Sequence, residues 1–147
     1  MKIPFSPPDI TTQEADLVRE ALLSGWITTG PKTKEFERQI ARFLGTKKAV
    51  CLNSSTACME SILHLLDIGP GDEVITSAYT YTATASVVCH VGAKLVLVDT
   101  QPDSYEMDYA KMADAITERT KVVIPVDLGG VPCNYQAVFD AVESRRH

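Results

Sequence analysis

The stretch LNSSTACMESILHLL, residues 52–66, joins a short apolar run to a largely apolar helix. The run that leads into it, residues 49–52, has the length and composition of a buried strand. Four small polar residues, Asn53 to Thr56, stand at the junction, although a helix needs only one such side chain as its N-cap. The stretch therefore predicts a strand–turn–helix unit. It leaves two interpretations for the polar residues: a cap with spare members, or a site that binds an anion.

Composition limits the classes of partner. The chain has 147 residues, enough for one domain with a core, and 45% of them are hydrophobic while 22% are charged. A net charge of −5 argues against nucleic acid or an anionic membrane as the main partner. No apolar run approaches the roughly 20 residues that a membrane span requires. The cysteines lack C-x-x-C spacing, so we expect free thiols of a cytoplasmic protein and no metal site.

Capping and turn signals divide the chain into helices and short apolar runs. Thr11 opens a capping-box pattern, which predicts a helix ending at Gly25, and Pro31 starts a second helix ending at Gly45. Pro125 cannot donate to a ladder, so it marks the end of the last strand. The pattern predicts strands near 48–52, 73–77, 94–99 and 121–126, and further helices over 53–66, 82–91, 108–116 and 135–146.

Short strands that alternate with helices indicate βαβ units. They predict an α/β fold in which a mainly parallel sheet is flanked by helices. The strands are apolar throughout, as strands covered on both faces are. Sheets of this kind bind ligands beyond the carboxyl ends of their strands. Four segments follow predicted strand ends: residues 53–56, 77–81, 99–100 and 127–130.

Two of these segments favour a flat, phosphorylated ligand. Ser55 and Thr56 offer hydroxyls and free backbone N–H groups at the positive end of a helix dipole, which favours phosphate. The glycine patterns of P-loops and of dinucleotide-binding loops are absent from the sequence. Tyr79 and Tyr81 follow the next strand, and a flat aromatic ring beside an anion site suits a planar cofactor. Ordinary packing of both tyrosines is the alternative.

One long stretch, residues 24–108, carries a family resemblance: SGWITTGPKTKEFERQIARFLGTKKAVCLNSSTACMESILHLLDIGPGDEVITSAYTYTATASVVCHVGAKLVLVDTQPDSYEMD. The order and spacing of its motifs resemble the N-terminal half of the DegT/StrS-type sugar aminotransferases, and the resemblance covers nearly the whole chain from about Ile3 to the tail. These are pyridoxal-phosphate enzymes of the aspartate-aminotransferase fold (fold type I). The resemblance implies that Ser55 and Thr56 hold the phosphate of pyridoxal 5′-phosphate and that Tyr81 stacks on its pyridine ring.

The same resemblance implies an activity and an assembly. The family transfers an amino group, usually from glutamate, to a nucleotide-linked keto-sugar, as amino-sugar and polysaccharide biosynthesis requires. Its active sites combine residues of two subunits, so we expect a homodimer. Residues 1–147 would form a single partial domain, the N-terminal part of the large domain, and the smaller C-terminal domain would be absent.

The chain departs from the family in three ways. Ser55 stands where the family usually has glycine, and PVDLGG (125–130) replaces the family's PVHLYG. In the family, the lysine that binds the cofactor covalently, and the aspartate that pairs with the pyridine nitrogen, lie further along than His147. We therefore expect an aminotransferase when full length, and no catalytic residue or activity in these 147 residues. The alternatives are a non-catalytic sugar- or effector-binding member of the fold, and a sugar dehydratase with histidine in place of the lysine.

Overall fold

The first two helices begin and end where their capping signals predict. The structure is a computed structural model that describes residues 6–145, and these fall into two units, of which the first ends at Cys51. In this first unit, helix α1 (Thr12–Leu23) starts after Thr11, whose side chain forms the predicted capping box with Glu14. Helix α2 (Pro31–Leu44) ends at Gly45, where φ is +67°. Both predicted helices are confirmed.

The turn between α1 and α2 is built around Trp26. Its indole N–H donates to the carbonyl of Thr29 at 3.1 Å. The ring lies so close to Gly30 that a Cβ there would collide with the indole nitrogen. Trp26 also lines a cavity of about 500 Å³ with Ile27 and Pro31. Glycine at position 30 is therefore a packing requirement of this turn.

The second unit, from Leu52 onward, contains a three-stranded parallel sheet. Strands β1 (Glu73–Ser77), β2 (Lys94–Val98) and β3 (Thr120–Ile124) lie in the order β2-β1-β3. Ile75 in the middle of β1 pairs with Val96 on one side and Val123 on the other. The predicted α/β fold with a parallel sheet is confirmed. Its helices are α3 (Ser55–Leu65), α4 (Thr82–His90), α5 (Tyr109–Ala115) and α6 (Tyr135–Ser144), and a short 3₁₀ turn spans Leu128–Gly130.

Local signals set most boundaries in this unit. The α4 helix gives way to Gly92 at φ +77°, and the carboxylate of Asp108 accepts the N–H groups of Ala110 and Lys111 at the start of α5. Pro125 directly follows the last residue of β3, as predicted. Two predicted limits, Ile3 for the resemblance and Arg146 for the last helix, lie outside the described residues.

The core of the second unit lies on both faces of β1, whose five residues are all buried. One cluster joins Leu63 of α3 and Val74 of β1 to Val87 and Val88 of α4. The other cluster packs Ile75 against buried side chains from the β2 region, α5 and α6: Val98, Met107, Met112 and Val138. The central strand is thus the part of the sheet that matches the expectation of two covered faces.

The strand predicted near residues 48–52 is absent, so that prediction is wrong. Residues 48–52 carry no strand pairing. The N–H of Cys51 donates to the carboxylate of Glu37 at 2.9 Å instead of joining a ladder. A run of apolar residues becomes a strand only where a neighbouring strand supplies ladder partners. No described strand does so for this run.

Two burial expectations are also wrong. Strand β2 was expected to be fully buried, but it is an outer strand of the described sheet and Leu97 is 53% exposed. The apolar pattern predicts that residues 62, 63, 65 and 66 face the core, but of these only Leu63 is buried, and the others are exposed. Met59 of α3 packs partly against the same cluster. Apolar character fixes which side chains favour burial, but other segments must supply the covering surface. No helix among residues 6–145 is both long and apolar enough to cross a membrane.

Glu73 joins the starts of all three strands. It opens β1 and is buried, and one carboxylate oxygen accepts from Lys94 at 2.9 Å and from Arg119 at 2.8 Å. The other oxygen accepts from the hydroxyl of Thr117 at 2.6 Å. The hydrogen bonds from Thr117 and Lys94, with a smaller one from Arg119, lower the pKa of Glu73 from 4.5 to about 2. The buried carboxylate is therefore held in its charged form.

We expect Glu73→Gln to lower stability at neutral pH and to flatten its pH dependence. Because the folded-state pKa is depressed, the stabilisation by Glu73 is complete above the unfolded-state pKa and is lost as pH falls through about 2. Urea unfolding midpoints at pH 7, 5 and 3 measure this. The midpoint of the unmodified chain should fall more steeply below pH 5 than that of Glu73→Gln. Glu118→Gln, at an exposed position, is the matched control, and equal slopes in all three proteins would contradict the assignment.

Leu63 and Leu65 provide a matched pair of substitutions in α3. Leu63 is 2% exposed and Leu65 is 85% exposed. We expect Leu63→Ala to reduce the free energy of unfolding by about 2–5 kcal/mol. Leu65→Ala should change it by no more than about 0.5 kcal/mol. Denaturant titration measures both, and an equal loss in the two variants would show that the described core is not the one that stabilises the fold.

Candidate functional site

The start of α3 uses one of its four polar residues as a cap. Ser54 is the N-cap, and its hydroxyl accepts the N–H of Ala57 at 3.1 Å. The carbonyl of Ser54 accepts the N–H of Cys58 at 3.1 Å, which closes the first helical turn. Capping is therefore complete without the side chains of Ser55 and Thr56.

Ser55 and Thr56 are the first two residues of α3. Within residues 6–145, their backbone N–H groups have no protein acceptor. Both hydroxyls likewise make no hydrogen bond to the described part of the chain, and Ser55 is exposed. Ser55 is not among the residues with positive φ, so serine is accommodated where the resembling family usually has glycine. Two N–H groups and two hydroxyls thus stand ready at a helix start, where the dipole attracts an anion.

Tyr81 lies at the start of the next helix, α4. It is the N-cap residue of α4, but its side chain makes no capping hydrogen bond, and 83% of its surface is exposed. The carbonyl of Tyr81 accepts the N–H of Thr84 at 2.9 Å. The ring is therefore presented to solvent by a residue whose carbonyl accepts a hydrogen bond from the first turn of the helix.

The helices α3 and α4 pack against each other. Leu63 shares a buried cluster with Val87 and Val88, and His90 Nδ1 lies 2.9 Å from the carboxylate of Glu60. This packing links the helix that starts at Ser55 to the helix that starts after Tyr81. In the described part of the chain, no hydrogen bond joins the Tyr81 side chain to Ser55 or Thr56.

Tyr79 has a partner that the sequence analysis missed. Its ring stacks on that of Tyr105 with centroids 5.2 Å apart and an angle of 20° between the planes. Tyr105 lies in the loop after β2, and no role was predicted for it from the sequence. The available signal was an aromatic residue in a loop that follows a strand of the same parallel sheet, since the carboxyl ends of parallel strands share an edge.

The remaining two strand-end segments use their carboxylates locally. Asp99 accepts the N–H of Thr100 at 2.8 Å. Asp127 accepts the N–H of Cys133 at 2.9 Å and the hydroxyl of Tyr135 at 2.8 Å. These two hydrogen bonds, that from Cys133 foremost, lower the pKa of Asp127, and the carboxylate raises the pKa of Tyr135 to about 12. Asp127 therefore holds together the turn that leads into α6.

Metal ligation finds no support in this geometry. Among residues 6–145, no group of three or more His, Cys, Asp or Glu side chains is arranged to hold a metal ion. The four cysteines are all free thiols. The candidate site therefore consists of hydrogen-bond donors at one helix start and an exposed aromatic ring at the next.

The family model described as "DegT/DnrJ/EryC1/StrS aminotransferase family" matches residues 8–145. The chain belongs to this family. The match includes both helix starts of the candidate site and the loop that carries Tyr105. The resemblance inferred from the motifs is thereby confirmed.

Two curated relatives give the family match more detail. The spore coat polysaccharide biosynthesis protein SpsC of Bacillus subtilis is 42% identical over 142 residues, which are 97% of this chain and 36% of the relative. The UDP-4-amino-4-deoxy-L-arabinose–oxoglutarate aminotransferase of Shewanella sediminis is 44% identical over 141 residues, 96% of this chain and 36% of the relative. The chain thus spans about a third of the length of the relatives it matches.

Solved structures share the fold. Spr1654 of Streptococcus pneumoniae, named as a sugar aminotransferase, has been solved in its PLP form and its PMP form. The PLP form superposes with a TM-score of 0.95 at 57% identity, over 99% of this chain and 37% of the neighbour. The expectation of a partial fold type I large domain is confirmed at the level of the fold.

Proposed function

We propose that this chain is the N-terminal, cofactor-binding part of a pyridoxal-phosphate-dependent aminotransferase that acts on nucleotide-linked keto-sugars. The observation that carries the proposal is the start of α3, where, after Ser54 has capped the helix, two N–H groups and two hydroxyls have no hydrogen-bond partner among residues 6–145. The names of the relatives support the substrate class, since one is a UDP-sugar–oxoglutarate aminotransferase and another takes part in polysaccharide biosynthesis. Oxoglutarate in the first name supports glutamate as the amino donor.

The residues present fit the two ends of pyridoxal 5′-phosphate. Ser55 and Thr56 supply only hydrogen-bond donors along the backbone, and their hydroxyls add two more, which suits a phosphate dianion. Tyr81 presents an open aromatic face, which suits the flat pyridine ring. A neutral or cationic ligand would gain nothing from the helix dipole at Ser55.

In this proposal, the described residues bind and orient, and they carry out no proton transfer. When bound, the cofactor serves as the electron sink for amino-group transfer. Ser55 and Thr56 fix one end of it, and Tyr81 fixes the plane of its ring. Because the two ends of the cofactor would be held by two different helices, both its position and its tilt would be set. A reaction at one defined atom requires such a fixed orientation.

The surface and the thiols support further parts of the proposal. Exposed apolar side chains on α1, α2 and α3, among them Leu23, Phe43 and Leu65, offer area for a partner surface and for the rest of a longer protein. We assign them to a homodimer and to a larger large domain of which residues 1–147 form one part. The free cysteines support the cytoplasm as the compartment.

Thr56→Val tests the phosphate end. Valine keeps the shape of threonine and removes the hydroxyl, so the full-length protein should bind pyridoxamine 5′-phosphate and inorganic phosphate about tenfold more weakly. Pyridoxamine phosphate is the probe because it lacks the aldehyde that would react with exposed lysines, and a relative binds it. Fluorescence titration and phosphate competition measure both affinities.

The matched control for Thr56 is Thr12→Val. Thr12 is an exposed threonine in the first turn of α1, and its substitution should leave both affinities unchanged. If Thr56→Val bound both probes as tightly as the unmodified protein, the phosphate site would have to lie elsewhere.

Tyr81→Ala tests the ring end. Removing the exposed ring should weaken pyridoxamine phosphate by about 3- to 10-fold, the range that an aromatic stack provides. The affinity for inorganic phosphate should not change, and Tyr81→Phe should behave like the unmodified protein. Unchanged pyridoxamine phosphate binding in Tyr81→Ala would disprove the assignment of Tyr81.

A further inference from the structure

Two tyrosines from separate segments stack at the carboxyl edge of the sheet. Tyr79 follows β1 and Tyr105 follows β2, and their ring centroids lie 5.2 Å apart. Both rings are more than half exposed, at 53% and 69%. We propose that Tyr105, through this stack, is a positioning residue that holds the turn between β1 and α4 in the conformation that presents Tyr81. The inference rests on the proposed function, because it concerns the same cofactor-binding ring.

The loop that carries Tyr105 is fixed without the help of the stack. Its two ends are bridged between Thr100 and Met107. Inside it, the N–H of Gln101 donates to the carbonyl of Glu106 at 2.9 Å. The carboxylate of Glu106 in turn accepts the hydroxyl of Tyr109 at 2.8 Å, which ties the loop to α5. The backbone that carries the Tyr105 ring is therefore held in place by hydrogen bonds within the loop and to α5.

The turn that carries Tyr81 is held by hydrogen bonds at its two ends. The N–H of Ala78 donates to the carbonyl of Val98 at 2.7 Å, and the Thr80 and Thr84 hydroxyls lie 2.9 Å apart. Between these two ties stands Tyr79, whose N–H donates at 3.2 Å to the hydroxyl of Ser77. The stack on Tyr105 joins the Tyr79 side chain to another segment. Tyr81 follows two residues later.

The size of the effect is bounded by the energy of the stack. If losing it lets the turn populate other conformations, the apparent dissociation constant rises by the inverse of the fraction that stays competent. An aromatic pair limits this rise to about 3- to 10-fold. Only the ring end of the ligand should respond, because the donors at Ser55 and Thr56 belong to α3.

Tyr105→Leu in the full-length protein tests the proposal. This substitution should lower the affinity for pyridoxamine 5′-phosphate by about 3- to 10-fold and leave the affinity for inorganic phosphate unchanged. Tyr105→Phe, which retains the ring, should restore the affinity. Tyr79→Leu should lower the affinity for pyridoxamine phosphate as much as Tyr105→Leu does. The double variant should bind it no more weakly than either single variant, because both substitutions remove the same contact.

Phe139→Leu is the matched control. Phe139 is another exposed aromatic residue of the same unit, 59% exposed on α6, and its substitution should leave both affinities unchanged. All titrations are made well below the thermal unfolding midpoint of each variant, so a general loss of stability does not affect them.

Three results would overturn the inference. The first is an unchanged affinity for pyridoxamine phosphate in Tyr105→Leu. The second is an equal loss of affinity for inorganic phosphate in the same variant. The third is additive losses of pyridoxamine phosphate affinity in the double variant. Any of these, combined with weakened ring binding in Tyr81→Ala, would reject the role of Tyr105 and leave the proposed function standing. Unchanged binding in Tyr81→Ala would reject the ring site itself and this inference with it.

Discussion

The parallel pairing of β1 with both β2 and β3 is the constraint on which the second unit depends. Parallel neighbours cannot be joined by a tight turn, so α4 and α5 must carry the chain back across the sheet. The same pairing places the three strand ends at one edge, where the turns with Tyr79 and Tyr105 meet. At the opposite edge, the ion pairs of Glu73 with Lys94 and Arg119 join the strand starts. The turns of the candidate site and the cluster around Glu73 therefore lie at opposite edges of the sheet.

Local chemistry made much of this fold predictable. The Thr11–Glu14 capping box, the left-handed Gly45 and the Asp108 cap each act over four residues or fewer, so their helices could be read directly from the sequence. Pairing and burial are different, because their partners lie far along the chain. For this reason the prediction of a strand near 48–52 was wrong, and so was the prediction that β2 is fully buried. Apolar runs show what can pack but not what is available to pack against.

The candidate site likewise has features that could be predicted from the sequence and features that depend on distant contacts. That a helix with spare polar donors starts near Asn53–Thr56 follows from the sequence, and that Ser54 rather than a neighbour is the cap follows only from backbone geometry. Tyr105 was missed because its significance arises from a contact with Tyr79, 26 residues earlier. The sequence places Asp127 just after a predicted strand end and leaves two roles open, lining a pocket or capping a turn. Its hydrogen bonds from Cys133 and Tyr135 place it in the turn before α6.

The proposed cofactor site depends on the buried cluster that α3 and α4 share. The phosphate donors begin α3 and the ring residue begins α4, and these helices meet through Leu63, Val87 and Val88. Each end of the site can therefore be weakened separately by a surface change at Thr56 or Tyr81. A change in the cluster itself shifts one helix against the other and so alters the spacing between the two ends. Since a closely packed interior does not deform gradually, this cluster sets the spacing more firmly than the exposed His90–Glu60 pair does.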